Sequence, residues 1–460
     1  TAVGAEALYS NTTGDYNTAF GFSALDSTTT GYENSAFGTQ ALRSNTIGKY
    51  NTATGVNALF SNANGSWNTA NGGYAMFQNK QGNANTAAGY KALYDNKSGS
   101  FNTAIGVHAL SQNQNSGSNT AIGTYALWSH RIADGNTAVG ASALYSDTSG
   151  IFNTALGNAA LFNNLNGKQN TAVGSLALYY NKGSQNTALG YEALAYNELS
   201  SNNVALGDSA LFNHSGSQGF NTAIGSKIMA SNTQGYSNTA GGYAALYSNT
   251  TGHSNTALGQ GALYHLVGGD HNISIGYGSG IDPGSPNTIN TISVGNEGYL
   301  NAASNQAFIG NLSTNWIGGQ TTWFTYASDA RVKNEVKEDV RGLDFIKLLR
   351  PVTYHLDINA MSVITGNKET EDYPGKYDVE KIKQSGFIAQ EVEQAAMTSG
   401  YSFSGVTIPD NEHELYTVSY AQFVVPLVKA VQEQQVMIDK LTKSNTELLD
   451  RLEALEQKIK

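Results

Sequence analysis

Residues 153–169 read Asn153-Thr154-Ala155-Leu156-Gly157-Asn158-Ala159-Ala160-Leu161-Phe162-Asn163-Asn164-Leu165-Asn166-Gly167-Lys168-Gln169. The frame Asn-Thr-Ala-x-Gly-x-x-Ala-Leu-x-x-Asn-x-x-Gly-x-x recurs on both sides of this stretch. Its lead asparagine stands at Asn17, Asn34, Asn51, Asn68, Asn85, Asn102, Asn119, Asn136, Asn153 and Asn170, always seventeen residues apart. It continues in steps of sixteen to eighteen through Asn186, Asn203, Asn221, Asn238, Asn255, Asn272 and Asn290. A fixed period of this kind marks a solenoid, in which each unit is one coil and stacking supplies the core.

Seventeen residues leave room for two strands of about five residues and two tight turns. Position four is branched or aromatic (Phe20, Ile105, Ile122, Val139, Leu156, Val173, Leu189, Ile224, Leu258), and position nine is leucine (Leu25, Leu42, Leu59, Leu93, Leu110, Leu127). These two columns are expected to form the inner core. The Ala and Gly columns permit close backbone approach, within a coil or between chains. Asn at positions one and twelve, with Gly at fifteen, suits turns that need positive φ or side-chain hydrogen bonds to backbone, so stacked asparagines should form ladders. Position ten is aromatic in many coils (Phe60, Phe77, Tyr94, Trp128, Tyr145, Phe162, Tyr179, Phe212, Tyr247, Tyr264). Rings so spaced are read as stacking on one another or between chains, with host glycans as the competing partner. The threonine column from Thr18 to Thr256 is read as strand and turn chemistry rather than an ice-binding face.

Helices are excluded here, because 45 of the 51 glycines precede Ser328 and Gly, Asn and Thr disfavour helix interiors. About eighteen coils at roughly 4.8 Å give a rod of roughly 85 Å. So thin a coil buries little alone, and association with identical chains is expected. Across residues 1–310 the pattern resembles the left-handed parallel β-roll heads of trimeric autotransporter adhesins, although its period departs from the commonest one there. The resemblance implies three chains around one axis.

The chain has no cysteine, so disulfides and thiolate metal sites play no part. Net charge is −10 without a basic cluster, which argues against nucleic acid as a partner. No apolar run is long enough for a membrane span, and no secretory signal is visible. Thr1 falls inside a repeat, which implies a preceding region carrying a signal, a surface anchor or a baseplate attachment. The eight histidines show no ligand spacing, carboxylates are too sparse in the repeats for a glycosidase pair, and no glycine run forms a phosphate loop. No cofactor and no metal are expected.

The repeats decay after Gly295, with an echo at Asn305 to Gly310 and an aromatic stretch from Trp316 to Tyr326. Residues 1–327 hold 22 charged side chains, whereas 328–460 hold 38. This divides the chain into a repeat shaft or head (1–310), a neck (311–327), a small α+β domain (328–423) and a terminal coil (424–460). In the last, Val424, Val431, Ile438, Leu452 and Ile459 take heptad position a, with Leu427, Leu441, Leu448 and Leu455 at d. Polar Asn445 and Gln434 interrupt them, as in a coiled coil whose register is fixed. The acidic stretch Glu369 to Asp372 reads as a solvated loop.

Between repeats and coil stand Ser328-Asp329-Ala330-Arg331-Val332-Lys333-Asn334-Glu335-Val336 and Gly342-Leu343-Asp344-Phe345-Ile346. Leu349-Arg350-Pro351-Val352-Thr353-Tyr354, Gly386-Phe387-Ile388-Ala389-Gln390-Glu391-Val392 and Val418-Ser419-Tyr420 follow. Together these blocks resemble the intramolecular chaperone auto-processing domain that closes phage endosialidase tailspikes and other fibres. The resemblance implies a trimeric chaperone that nucleates the preceding β-structure and then cuts itself off. Ser328 would be the nucleophile and Lys333 its general base, with Asp329 and Arg331 orienting the loop by ion pairing. On spacing alone, Ser328 reads as the cap of a helix beginning near Arg331 rather than as a nucleophile.

The combined expectation is a mainly β, homotrimeric fibre: a β-roll solenoid, a chaperone and a trimeric coiled coil. It would be extracellular, on a phage tail or a phage-like contractile injection particle, facing a host glycan or protein receptor. A bacterial cell-surface adhesin is the alternative, and a polysaccharide-degrading tailspike a weaker one. Any enzymatic activity would be a single serine-endopeptidase cut in its own chain.

Overall fold

The computed structural model describes residues 1–298, 300–311, 314, 317, 329–364, 377–409, 411, 412 and 414–459. The chain divides into two compact units, residues 1–309 and 310–460. Most of the expected neck, the acidic stretch Glu369–Asp372 and Ser328 lie outside the described residues.

The first unit is a parallel β-solenoid of about eighteen coils of seventeen residues. Each coil contributes one three-residue strand, as in Thr154–Leu156, rather than the two five-residue strands expected. Among the described residues, eighteen such strands and the two-residue Ala2–Val3 form one parallel sheet. Register is kept rung by rung, Thr154 and Ala155 facing Thr137 and Ala138 on one side and Thr171 and Ala172 on the other. A second, two-residue strand occurs only at Asn163–Asn164, Tyr180–Asn181 and Tyr196–Asn197 among the described residues.

The remainder of each coil is a chain of tight turns. Ala24 N donates to Gly21 O, Thr28 N to Leu25 O, and Leu25 N to Ala41 O of the next coil. Apart from glycine, positive φ in the regular coils falls on positions seven, nine and seventeen rather than on the asparagines of positions one and twelve, as at Gln40 (59°), Leu42 (52°) and Tyr50 (57°). For leucine the left-handed region costs about 1–2 kcal/mol. From Leu25 onward every Leu of position nine is buried (Leu25, Leu42, Leu59 and on), and that burial contributes about 1.5–3 kcal/mol each. Burial wins, and the strain recurs in coil after coil.

The core is therefore Leu at position nine with the two alanine columns, Ala19 and Ala24 in one coil, Ala36 and Ala41 in the next. Position four, expected inside, points out: Phe20, Ile105, Ile122, Leu156, Leu189, Ile224 and Leu258 are 37–57 % exposed. The reason is strand alternation. In Thr-Ala-x the alanine occupies the inward position, so both its neighbours must face away. The alanine columns pack inside their own chain and leave no surface for chain-to-chain approach.

Two asparagine ladders close the coils. Asn51 Nδ2 and Asn62 Nδ2 both donate to the carbonyl of Gly65, at 2.8 and 2.9 Å. Asn51 Oδ1 accepts from Asn68 N (3.0 Å), and Asn45 Oδ1 from Asn62 Nδ2 (2.9 Å). Position fifteen is glycine because a Cβ on Gly65 would lie 2.4 Å from Asn62 Oδ1 and 2.5 Å from Gly82 O. The aromatic column stacks on itself as read: Phe60, Phe77 and Tyr94 at 5.0 and 5.2 Å, and Trp128, Tyr145, Phe162 and Tyr179 at 4.9–5.1 Å.

The twelfth-position ladder is broken by His130 and Asp147, both fully buried on adjacent rungs. His130 Nε2 donates to Ala133 O, which leaves Nδ1 as an acceptor 4.0 Å from Asp147 Oδ2. Neither atom has a hydrogen-bond partner. Burial pushes the Asp147 carboxyl from 3.8 up to about 8, against the lowering pull of the Gly150 and Ser149 amides. Burial pushes the His130 imidazole down.

An acid with a raised folded pKa is protonated when folded but ionised when unfolded, so Asp147 costs stability as pH rises from about 4 to 8. Asp147→Asn restores the residue used elsewhere in the ladder and removes this cost. Its advantage over the natural sequence should widen between pH 5 and pH 8, by up to about 1.4 kcal/mol per pH unit. Urea-denaturation midpoints at the two pH values measure it, and parallel midpoints would clear Asp147 of the effect.

Candidate functional site

The second unit is small, and the sequence blocks singled out above converge on its core. Phe345 is fully buried and meets the rings of Phe403 (5.0 Å), Tyr401 (5.4 Å) and Phe423 (6.3 Å). Phe387 stacks on Phe423 at 5.2 Å. Val392, Ala395 and Ala396 come from the helix Ala389–Ser399, which ends at Gly400 in the left-handed conformation that suits a helix C-terminus. The strand Val352–Tyr354 pairs antiparallel with Gln384–Gly386. Beside them the Arg350 guanidinium grips the Glu391 carboxylate with two bonds, Nε to Oε2 at 3.1 Å and Nη2 to Oε1, a geometry lysine cannot reproduce.

Two glycines of these blocks are explained by close approach rather than by φ. A Cβ on Gly342 would lie 2.8 Å from Ala430 N, where the short helix Leu343–Ile346 abuts the terminal helix. There Glu433 Oε2 accepts from Leu343 N at 2.8 Å. A Cβ on Gly386 would lie 2.1 Å from the Tyr420 hydroxyl, which accepts from Phe387 N at 3.0 Å. Glu433 and the aromatic pair Tyr401 and Phe403 escaped the sequence reading. Tyr401 and Phe403 alternate just after a helix-ending glycine, and that was the available signal.

The segment carrying the expected catalytic residues lies at the surface. Asp329 caps the 3-10 turn Ala330–Val332, accepting from Arg331 N at 2.8 Å. It also takes two bonds from the Arg331 guanidinium, Nε at 3.0 Å and Nη2 at 2.6 Å to Oδ2. That guanidinium holds the Asp329 carboxyl below its ordinary range. The cap of this turn is thus Asp329, not Ser328. Lys333 follows the turn and is exposed, as are Val332 and Val336. Ser328 lies outside the described residues.

The terminal helix runs Val424–Ile459, roughly 54 Å at 1.5 Å per residue. Pro426 and Ala430 are buried in it, and beyond Ala430 no described residue is. The heptad residues Val424, Leu427, Val431, Ile438, Leu441, Leu448, Leu452, Leu455 and Ile459 are each 47–84 % exposed. Among the described residues no helix is long and apolar enough to cross a membrane, and no group of three or more side chains is placed to hold a metal ion.

Residues 328–400 match the family model described as chaperone of endosialidase. The match starts at Ser328 and stops before the terminal helix. No curated protein matches the chain.

If Gly386 is glycine to admit the Tyr420 hydroxyl, Gly386→Ala should destabilise the second unit and Tyr420→Phe should partly rescue it. Limited proteolysis of the full-length variants, scored for cleavage within residues 340–423, reads this directly. A double variant no more resistant than Gly386→Ala alone would break the proposed pairing.

Proposed function

We propose that the chain is a subunit of a homotrimeric tail fibre or receptor-binding fibre of a phage or phage-like contractile injection particle. In this reading the C-terminal intramolecular chaperone assembles the fibre and releases itself through Ser328 and Lys333. The observation that carries it is the order of parts: a long parallel solenoid followed in the chain by a segment matching the endosialidase chaperone family from Ser328.

Two exposed apolar rows support association with identical chains. The terminal helix presents nine exposed heptad side chains on a helix far too long for its own domain to cover. The solenoid sheet presents the position-four column, and exposed apolar surface of that extent on a soluble chain marks an interface. Equivalent rows on identical chains meet by rotational symmetry, which closes the assembly. A β-roll like that of trimeric autotransporter heads fits the same arrangement. Read without the chaperone match, the solenoid serves equally for a bacterial cell-surface adhesin.

Self-cleavage has a physical logic within this assembly. A lysine acts as general base only when desolvation brings its pKa down toward neutrality. Lys333 is exposed in the single chain, so its desolvation would come from neighbouring copies. Cutting would then report that assembly had been completed.

Intact mass under denaturing conditions, with sedimentation of the native protein, tests both halves. The natural sequence should yield a fragment ending near Ser328 and a trimeric mass. Ser328→Ala should stay full-length and trimeric, and Lys333→Ala should be cut more slowly. Cleavage of Ser328→Ala at the same junction would remove the serine from the mechanism, and a monomer before cleavage would remove the fibre.

A further inference from the structure

Coil stacking assembles a basic stripe that the linear sequence hides. Position thirteen of the repeat is threonine in six coils (Thr12, Thr29, Thr46, Thr148, Thr233, Thr250). There the hydroxyl donates to a backbone carbonyl of the next coil, as Thr29 Oγ1 does to Thr46 O at 3.2 Å and Thr148 Oγ1 to Leu165 O at 2.9 Å. In the middle of the solenoid the same column reads Lys80, Lys97, Gln114, Arg131. The backbone fixes their register: Lys80 N donates to Lys97 O at 3.0 Å, Lys97 N to Gln114 O at 2.7 Å and Gln114 N to Arg131 O at 3.4 Å.

Lys80, Lys97 and Arg131 give up the threonine bond. All three are exposed, and among the described residues none of them makes a side-chain hydrogen bond or an ion pair. Rungs lie roughly 4.8 Å apart, so Lys80 and Lys97 stand side by side with like charges, which is destabilising on neighbouring strands. Residues 80–134 hold four cations, Lys91 being the fourth, against Asp95 and Asp134, a local positive excess in a chain whose net charge is −10. Asp134 is already engaged, its Oδ1 accepting from Gly117 N at 2.6 Å. Burial pushes the half-buried Asp95 carboxyl up, while Lys97, Arg131 and Lys91 pull it back, so three cations bear on one spot beside the column. A merely solubilising charge would serve on any exposed position; here cations displace a bonded threonine on three rungs of four.

We propose that this stripe binds a linear acidic polymer of a host surface, one that carries a carboxylate or phosphate on successive units. Lysine and arginine hold either group by charge-assisted hydrogen bonds. From Lys80 to Arg131 the cations form a line of roughly 14 Å along the stacking direction, which a single small anion cannot span and a polymer can follow. Bound anions would also relieve the repulsion between neighbouring rungs. Position thirteen belongs to the turns and not to the strand that carries position four, so association through the sheet face does not use it. The inference rests on the fibre reading and deepens it by naming the receptor class.

The probes are polygalacturonate for carboxylates and long-chain polyphosphate for phosphates, with neutral dextran as the blank, titrated by calorimetry into the full-length protein. At least one polyanion should bind, more weakly at about 200 mM than at about 50 mM salt, and the tighter of the two identifies the anionic group. The triple variant Lys80→Thr, Lys97→Thr and Arg131→Thr restores the residue used elsewhere in the column. It should be no less stable to urea and should bind at least about tenfold more weakly. Lys168→Gln, Lys182→Gln and Lys227→Gln together remove the same charge elsewhere on the solenoid and should leave binding within about twofold. Three results would each overturn the stripe: binding of neither polyanion, equal losses in the two triple variants, or tighter binding of duplex DNA than of either polyanion. Sedimentation run alongside separates the two readings. A trimer that binds neither polyanion refutes the stripe alone, and a monomer that binds refutes the fibre alone.

Discussion

The carbonyl at position fifteen is the hinge of the solenoid. In each regular coil it accepts from two asparagine amides, one at the start of the unit and one at position twelve, as Gly65 O does from Asn51 and Asn62. Those amides have oxygens in turn bonded to the next or previous coil. A buried carbonyl without a partner would cost about 1–3 kcal/mol, so a tight-turn coil with a dehydrated interior depends on this clasp. The same crowding favours glycine at position fifteen, with Ser116, Ala133 and Ser200 as the side chains that the fold admits there in three coils. His130 and Asp147 show the rule by interruption, since replacing two rungs leaves Asn113 Oδ1, His130 Nδ1 and Asp147 Oδ2 buried and unpartnered.

With the interior committed to leucine, two alanines and asparagine amides, a coil has no room inside for larger side chains. Aromatic and branched residues are consequently displaced to the surface, where they form columns. The position-ten rings spend their faces on one another. The position-four column stays exposed and, where it carries Phe, Ile or Leu, makes the sheet face apolar. A solenoid of this section thus keeps its stabilising contacts inside each chain and leaves apolar side chains exposed on the sheet face.

The second unit divides differently. Its core is a handful of aromatics around Phe345, supplied by blocks far apart in sequence. Outside that core it exposes Val332, Val336 and the heptad row of the terminal helix. The Asp329–Arg331 pair gives the surface segment a defined turn without burying it, and Lys333 emerges just beyond. Such a domain holds its fold with few residues and leaves many exposed.

Periodicity made the solenoid, its asparagine ladders and its ring stacking legible, because a fixed spacing forces equivalent residues onto one another whatever the coil's detailed path. The heptads and the ordered blocks from Ser328 onward marked the terminal helix and the chaperone segment in the same way. Periodicity could not tell which face of the strand looks inward. Thr-Ala-x permits either assignment, and the larger residue at position four was the natural choice for a core. Only the tertiary structure showed alanine inside, because at that inward position the coils bury only small side chains, alanine and, at Ser274 and Ser293, serine. The reason for Gly342 and Gly386 lay equally beyond the sequence. Each depends on how close a distant or neighbouring chain segment comes, a distance fixed by packing rather than by local spacing.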